Sequence, residues 1–421
     1  MEVIKPYEKY KDSGIPWLGL IPEQWQVRKL KYSLKINNGA DYKHIQSENG
    51  YPVIGSGGQF AFANDFMFDG EVVFLGRKGT IDKPLYFKGK FWAVDTMFYA
   101  NSKMGNSVKF HFYVSTQIPF KLYSTSTALP SMTQSDLKEH YLAYPSINEQ
   151  IAIANFLDYK TAKIDRFIFK KKQLIKLLNE QKAGIINDAV TKGLNANAKM
   201  KPSGIEWLGD IPEAWEVRKL KYVAEFQSGE MITSETISQD GEFPVFGGGG
   251  FRGYTNNYTN DGNHVLIGRQ GALCGNVKYA KGKFWASEHS IVIYPKIRIE
   301  NIYLGEVLKI CNLGKLSQTA AQPGIAIGQI KNVSIPIPPL SEQTAIISHI
   351  EKETCIITKT IATIEKEIAL VQEYRTALIA EAVTGKIDVR EYKMPTLEED
   401  KEYAEMEEEM GLVAEEEINL D

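Results

Sequence analysis

Cysteine is nearly absent from this chain: Cys274, Cys311 and Cys355 lie far apart with no C-x-x-C spacing. Neither a zinc site nor a disulfide framework is expected from three such residues. No apolar run approaches the roughly 18 residues of a membrane-spanning helix. The opening MEVIKPYEKY also lacks the basic-then-apolar layout of a signal peptide. A cytoplasmic protein with no membrane partner is therefore expected. The six histidines (His44, His111, His140, His264, His289 and His349) show no metal-ligand spacing, so no metal site is expected.

The motifs of common catalysts are missing too. An amino-methyltransferase needs a short loop of the N/D-P-P-Y/F type, and the Pro338–Pro339 pair instead opens a helix. No G-x-x-x-x-G-K-[ST] phosphate loop occurs, and no proline is followed by Asp as in a common nuclease pattern. Gly248, Gly250 and Gly253 form a G-x-G-x-x-G, but YTNNYTN follows, not a helix, so a turn is expected. An enzyme acting alone is disfavoured, and no catalytic residue is assigned.

What is present is charge of uneven distribution. The net charge of −3 averages two unlike parts. Residues 391–421 hold thirteen acids against two lysines, which leaves 47 basic and 39 acidic residues in 1–390. The body is therefore basic, which permits a polyanion partner without proving one.

The chain is also written twice. SGIPWLGLIPEQWQVRKLKY at 13–32 matches SGIEWLGDIPEAWEVRKLKY at 203–222 in sixteen of twenty positions. The match continues with YPVIGSGG from Tyr51 and FPVFGGGG from Phe243, GRKG from Gly76 and GRQG from Gly268. KGKFWA recurs from Lys88 and Lys281, and PSINEQIAI from Pro145 pairs with PPLSEQTAI from Pro338. A whole unit of about 190 residues is duplicated.

Each unit opens with Gly-rich turns, aromatics and short β-branched runs, which predicts a strand-rich α/β (α+β) domain. Each closes with a stretch nearly free of Gly and Pro, with apolar residues three and four apart. In the first these are Ile153, Leu157, Ile164, Phe167, Leu174, Leu178 and Ile185; in the second Ile357, Ile361, Ile364, Ile368, Val371, Leu378 and Ala382. Lys160, Lys171, Gln181 and Arg375 interrupt these seams. Such a seam demands a partner helix, and Asn148 or Ser341 is the expected N-cap. The first segment has nine basic and five acidic residues and the second five and seven, favouring their pairing. The expected architecture is two related domains at 1–145 and 196–337, with spacer helices at 146–195 and 338–390 and an acidic tail at 391–421. The helices form an antiparallel coiled coil that relates the domains by a pseudo-two-fold axis.

The W-L-G-x-I-P-x-x-W-x-V-x-K-L-K segments at Trp17–Lys31 and Trp207–Lys221 resemble the start of each target-recognition domain in specificity (S) subunits of type I restriction-modification systems. The G-R-x-G turn, the K-G-K-F-W-A strand and the S-E-Q helix opening resemble the same family. The resemblance spans about 1–390 and implies a non-catalytic DNA-recognition subunit. Each domain would read one half of a bipartite, asymmetric duplex site. The helices would set the gap and dock two methyltransferase (M) subunits, to which restriction (R) subunits bind. No cofactor is implied for this chain; S-adenosylmethionine belongs to the M subunit, and ATP and Mg to the R subunit. The acidic tail matches no family feature, and one hypothesis has it mask the basic DNA groove. A tandem protein- or glycan-binding module on a coiled-coil spacer is the alternative.

Candidate DNA contacts follow from residue type and place. Arg77, Lys78, Arg269 and Gln270 sit on Gly-flanked turns, where Arg or Gln can pair with a base edge; a purely structural turn explains them equally. Gln59 and Arg252 follow the SGG and GGGGF turns, and Lys43 and His44 lie in a divergent loop. Lys170–Lys172 read as a solvated helix face. The six tryptophans recur at matching positions, which favours core packing over base stacking. Asn148, Glu149 and Gln150, with Ser341, Glu342 and Gln343, are candidates for holding partner subunits or head-to-helix junctions.

Overall fold

The computed structural model describes residues 5–123, 130–317, 323–393 and 395. The chain divides into two compact units, one of Met1–Lys170 with Glu367–Asp421 and the other of Lys171–Lys366. The acidic tail, apart from residues 391–393 and 395, lies outside the described residues.

The first unit contains β1 (Tyr10–Asp12), β2 (Leu20–Pro22), β3 (Gln26–Lys29), β4 (Leu34–Asn38), β5 (Gln46–Ser47) and β6 (Tyr51–Gly55). It continues with β7 (Gly58–Ala63), β8 (Phe68–Gly76), β9 (Leu85–Ala93), β10 (Met97–Ser102) and β11 (Tyr141–Tyr144). Seven strands form one sheet in the order β4-β10-β8-β9-β6-β7-β5. Every neighbouring pair is antiparallel except β6 and β9, where Val53 lies opposite Trp92. Strand alternation builds two cores from this sheet. Val73 and Leu75 of β8 join Leu34, Ile36, Phe98 and Ala100 on one face. Val72 and Phe74 join Phe91, Ala93 and Met97 on the other.

The second unit repeats the plan. Its strands are β12 (Met200–Pro202), β13 (Asp210–Pro212), β14 (Glu216–Lys219), β15 (Ala224–Ser228), β16 (Phe243–Gly247) and β17 (Gly250–Thr255). Then follow β18 (Asn260–Asp261), β19 (His264–Gly268), β20 (Val277–Ala280), β21 (Lys283–Ala286), β22 (Ser290–Pro295) and β23 (Ser334–Ile337). Two four-stranded sheets form, β15-β22-β19-β20 and β17-β16-β21-β18. The single long β9 of the first unit is here broken into β20 and β21. Gly282, at the break, takes the left-handed φ of +67° that a tight turn uses. Val265, Ile267, Ile291 and Ile293 face one core, while Leu266 and Val292 face the other.

Two long helices, Ile147–Lys192 and Leu340–Thr384, each start in one unit and end in the other. Within the first unit, Ile153, Phe156 and Leu157 near the start of one pack with Leu378, Ile379, Ala382 and Val383 near the end of the other. Within the second unit, Ala189 and Val190 share a core with Ile346 and Ile350. Start meets end in both places, so the pairing is antiparallel. Arg375, one of the seam's interruptions, donates through Nε to Asp165 Oδ1 of the facing helix at 3.0 Å. Lys182 Nζ donates to Thr358 Oγ1 at 2.8 Å.

Two local expectations change. The buried seam residue is Ile168 and not its neighbour Phe167, which is half-buried. A straight helix drifts by about 20° per heptad from a strict 3.5-residue repeat, and that drift shifts the contact stripe. The N-cap is Ser146 and not Asn148, because the helix already begins at Ile147. Ser146 Oγ accepts from the Glu149 amide at 3.3 Å and the Glu149 carboxylate accepts from the Ser146 amide at 3.3 Å, a reciprocal capping box. In the second helix Leu340 is the first residue, so Pro339 precedes it and Ser341 lies in the first turn, exposed.

Candidate nucleic-acid interface

The two G-R-x-G turns are held by the same backbone frame. In the first unit the Arg77 amide donates to Thr96 O at 2.9 Å, and the Met132 amide donates to Arg77 O at 3.0 Å. In the second, the Arg269 amide donates to His289 O at 2.8 Å, and the Ile325 amide donates to Arg269 O at 3.0 Å. Gly79 and Gly271, both at positive φ, donate to Pro130 O and Pro323 O at 2.8 and 3.0 Å. The turns are thus clamped between two chain segments, and each offers its x residue to solvent: Lys78 and Gln270 are exposed.

The arginines are half-buried and partly engaged. Arg77 donates through Nη1 to Asp95 O at 3.3 Å, while Arg269 donates through Nη1 to Ser228 Oγ at 3.0 Å. Arg77 and Lys78 line a surface cleft of about 320 Å³ with Asn38, Phe98, Thr133 and Gln134. Beneath the second turn the Cys274 Sγ–H donates to Arg269 O at 3.5 Å, and burial pushes that thiol's pKa up. The thiol is accordingly a packing group of the turn.

In the second unit the structure brings the two glycine turns together. A Cβ on Gly248 would lie 2.6 Å from Gln270 O, and one on Gly268 would lie 2.2 Å from Gly248 O. Only glycine lets these backbones approach so closely. Arg252, exposed on β17, folds its stem over Gly247, and Lys278 of β20 lies along Gly250. Arg252, Arg269, Gln270 and Lys278 therefore gather around one pair of turns. In the first unit, Gln59 is exposed on β7 beside Phe60, whose ring meets Tyr42 edge-on at 5.4 Å. Lys43 and His44 are exposed on a short 3-10 turn, with His44 edge-on to Trp92 at 5.8 Å. Trp92 in turn donates to Ala40 O at 3.1 Å, and Trp285 donates to Glu230 O at 3.2 Å. These indoles pin the loop that follows β4 and β15.

The helix openings hold their own units together. Glu149 accepts the indole N–H of Trp25, and Glu342 that of Trp215, at 3.1 and 2.9 Å. Gln150 accepts from the Ser107 amide at 3.1 Å and donates to Pro145 O at 3.2 Å. Gln343 accepts from the Glu300 amide and donates to Pro338 O, both at 2.9 Å. Asn148 and Ser341 are exposed. Trp25 and Trp215 are fully buried, but Trp17 and Trp207 are about 40% exposed, with Trp17 stacked on His140. Among the described residues no group of three or more His, Cys, Asp or Glu could hold a metal, and no helix is long and apolar enough to cross a membrane.

The sequence matches the type I restriction modification DNA specificity domain twice, over residues 22–177 and 212–370. The chain belongs to that family. It is a DNA specificity subunit with two recognition domains, and catalysis in such a system lies in other subunits. It is 36% identical over 141 residues to the EcoprrI specificity subunit of Escherichia coli, covering 32% of this chain and 35% of that one. It is 25% identical over 438 residues to the putative MjaX specificity subunit of Methanocaldococcus jannaschii, covering 93% of this chain and 100% of that one. A solved structure from work on complex assembly and conformational transition of the type I restriction-modification system shares the fold. It has a TM-score of 0.65 at 14% identity, over 87% of this chain and 99% of that one.

Sequence reasoning placed the specificity subunit's turns but missed the side chains that support them. Ser228 and Lys278 come from other strands, Glu288 and His289 from the turn between β21 and β22, and no local motif marks them. The one available signal was the repeat itself, since His289 stands where the first copy has Thr96.

Proposed function

We propose that each recognition domain reads one half of a bipartite, asymmetric duplex site through the G-R-x-G turn and its neighbours. The observation that carries this is a shared backbone clamp with unlike exposed residues: Lys78 in one copy, Gln270 in the other. A retained frame with changed tips suits two readers of one fold that recognise different bases. Arg77, Arg252, Arg269, Lys43, His44 and Gln59 contribute backbone and base contacts on the same surfaces.

The paired helices set the gap between the half-sites and dock two methyltransferase subunits, whose exposed contacts include Asn148 and Ser341. Restriction subunits join through these. S-adenosylmethionine is held by the methyltransferase subunits, and ATP with Mg by the restriction subunits, in the cytoplasm. The buried Glu149, Gln150 and Gln343 and the half-buried Glu342 serve the partners indirectly, by fixing each domain to the helix on which a partner sits.

The test is affinity for duplex DNA as a function of salt. A protein that neutralises six to ten phosphates loses about a thousand-fold or more in affinity between 50 and 200 mM salt. Such a slope is expected for the assembled complex and, more weakly, for this chain. Binding to duplex that is absent or indifferent to salt would overturn the proposal and favour a protein- or glycan-binding module.

A further inference from the structure

We infer that Gln270 is the adenine-reading residue of the second domain, held in its reading orientation by His289, and that Lys78 reads guanine at the equivalent place in the first. The inference rests on the DNA-reading function proposed above and names the base class that one position in each domain selects.

The geometry starts from His289, which engages both ring nitrogens. Nδ1 lies 2.9 Å from Gln270 Oε1 and Nε2 lies 3.0 Å from Glu288 Oε1; both oxygens accept, so the ring makes both hydrogen bonds at once when it carries a proton on each nitrogen. The ring is also fixed through its own backbone, because the His289 carbonyl accepts the Arg269 amide. Gln270 therefore cannot spin its amide freely, although the residue is exposed. With one lone pair of Oε1 taken by His289, the amide still has one acceptor site and both N–H donors to offer. That pair matches the N6–H donor and N7 acceptor of an adenine edge. Guanine, whose O6 and N7 are both acceptors, can meet this amide only through its N–H donors and leaves the free acceptor site of Oε1 unpaired.

The first domain supplies the contrast. Lys78 has the same backbone clamp, but Thr96 stands in place of His289 and Asp95 in place of Glu288. An ammonium carries donors alone, so no orienting ring is needed and guanine is the fitting edge. Among the described residues the Lys78 side chain makes no ion pair, and it lines the open cleft with Thr133 and Gln134. Support for close approach of a duplex is stronger in the second domain. The Gly248 backbone packs on the Gln270 carbonyl, and Arg252 and Lys278 flank the turn as cations suited to phosphates. Glycine at 248 replaces Ser56 of the first copy, so the tip and its support differ together.

The experiment is a base-resolution methylation map of the native host carrying Gln270→Lys in the otherwise intact chain. The expected result is a change at one position of one half-site, from adenine towards guanine, with the other half unchanged and discrimination at that position altered about 10–100-fold. His289→Ala should relax the same position alone, and His289→Asn, which keeps a donor, should restore part of the preference. An unchanged motif in Gln270→Lys overturns the inference. Loss of methylation at every site in both Gln270→Lys and the near-isosteric Gln270→Glu would make Gln270 a structural or phosphate-contacting group, and also overturns it. A uniform fall at all sites in His289→Ala removes the positioning role. None of these results resembles failure of the underlying function, in which deleting the whole gene leaves the map unaltered.

Discussion

Trp25 and Glu149 are 124 residues apart in sequence, yet the indole N–H of one donates to the carboxylate of the other in a site where both are buried. Trp215 and Glu342 repeat the bond in the second unit. In each case the strands that open a recognition domain are tied to the first turn of a long helix. Glu149 meanwhile accepts from the Ser146 amide and hydroxyl, so one carboxylate caps the helix and anchors the domain.

Replacing Glu149 by Ala should therefore cost about 2–4 kcal/mol in unfolding of the first unit. It strands a buried indole N–H, worth about 1–3 kcal/mol, and removes part of a cap. Glu149→Gln keeps an acceptor and should cost less. Urea unfolding of the three proteins checks the order, and equal stability of Glu149→Ala and the parent would contradict it.

Gly385 ends the second long helix at φ +76°, and a Cβ there would lie 2.4 Å from Pro22 Cδ and 3.1 Å from the Trp25 ring. Gly385→Ala meets both left-handed strain and a rigid neighbour. It should destabilise the first unit by more than the roughly 1–2 kcal/mol that the backbone conformation alone costs. Gly14→Ala is the control, since φ is +70° there but nothing lies within 4 Å. Thermal unfolding should place Gly385→Ala well below Gly14→Ala.

Acid should soften the first unit more than the second. Burial lowers the pKa of His111 and of His140 from 6.5 to about 4 in each case. The unfolded chain then binds protons between pH 6.5 and 4 that the folded unit refuses, so stability is present above 6.5 and is lost as pH falls towards 4. Each histidine contributes up to about 3 kcal/mol to that loss. Both lie in the first unit. Hydrogen exchange at pH 7 and pH 5, corrected for intrinsic rates, should show protection falling in residues 5–123 and holding in 205–310; equal change in both would contradict the assignment.

Between the helices, packing should outweigh charge. Arg375 and Asp165 are paired but partly exposed, at 35% and 58% for their side chains. Such a pair contributes about 0–1 kcal/mol. Leu378, 4% exposed in the first core, should cost about 2–5 kcal/mol on truncation to Ala. Unfolding midpoints of Arg375→Ala and Leu378→Ala decide the ranking.

The duplication, the two strand-rich units and the long paired helices were legible because each rests on a repeated or periodic pattern. Ile153, Leu157, Leu378 and Ala382 recur at helical spacing, and that spacing is itself the physical cause of their burial. The details that escaped depend on contacts between distant segments. Trp17 resembles Trp25 in sequence, yet one stacks on His140 at the rim and the other is wholly enclosed. Residue type could not separate them. The helix start at Ser146 escaped for a different reason: Ser146 and Asn148 are equally good caps by propensity, and only the position of Glu149 three residues after Ser146 decides between them. Among the site residues, Arg77, Lys78, Arg269 and Gln270 stood out through flanking glycines, whereas His289 reaches Gln270 only because β19 pairs with β22.

The most direct test of the central claim is a base-resolution methylation map of the source genome with this gene intact and with it deleted. Loss of one interrupted, asymmetric methylated motif on deletion is the result expected of a two-domain DNA specificity subunit. A map unchanged by the deletion, in a strain whose methyltransferase partner is expressed and active, would contradict it.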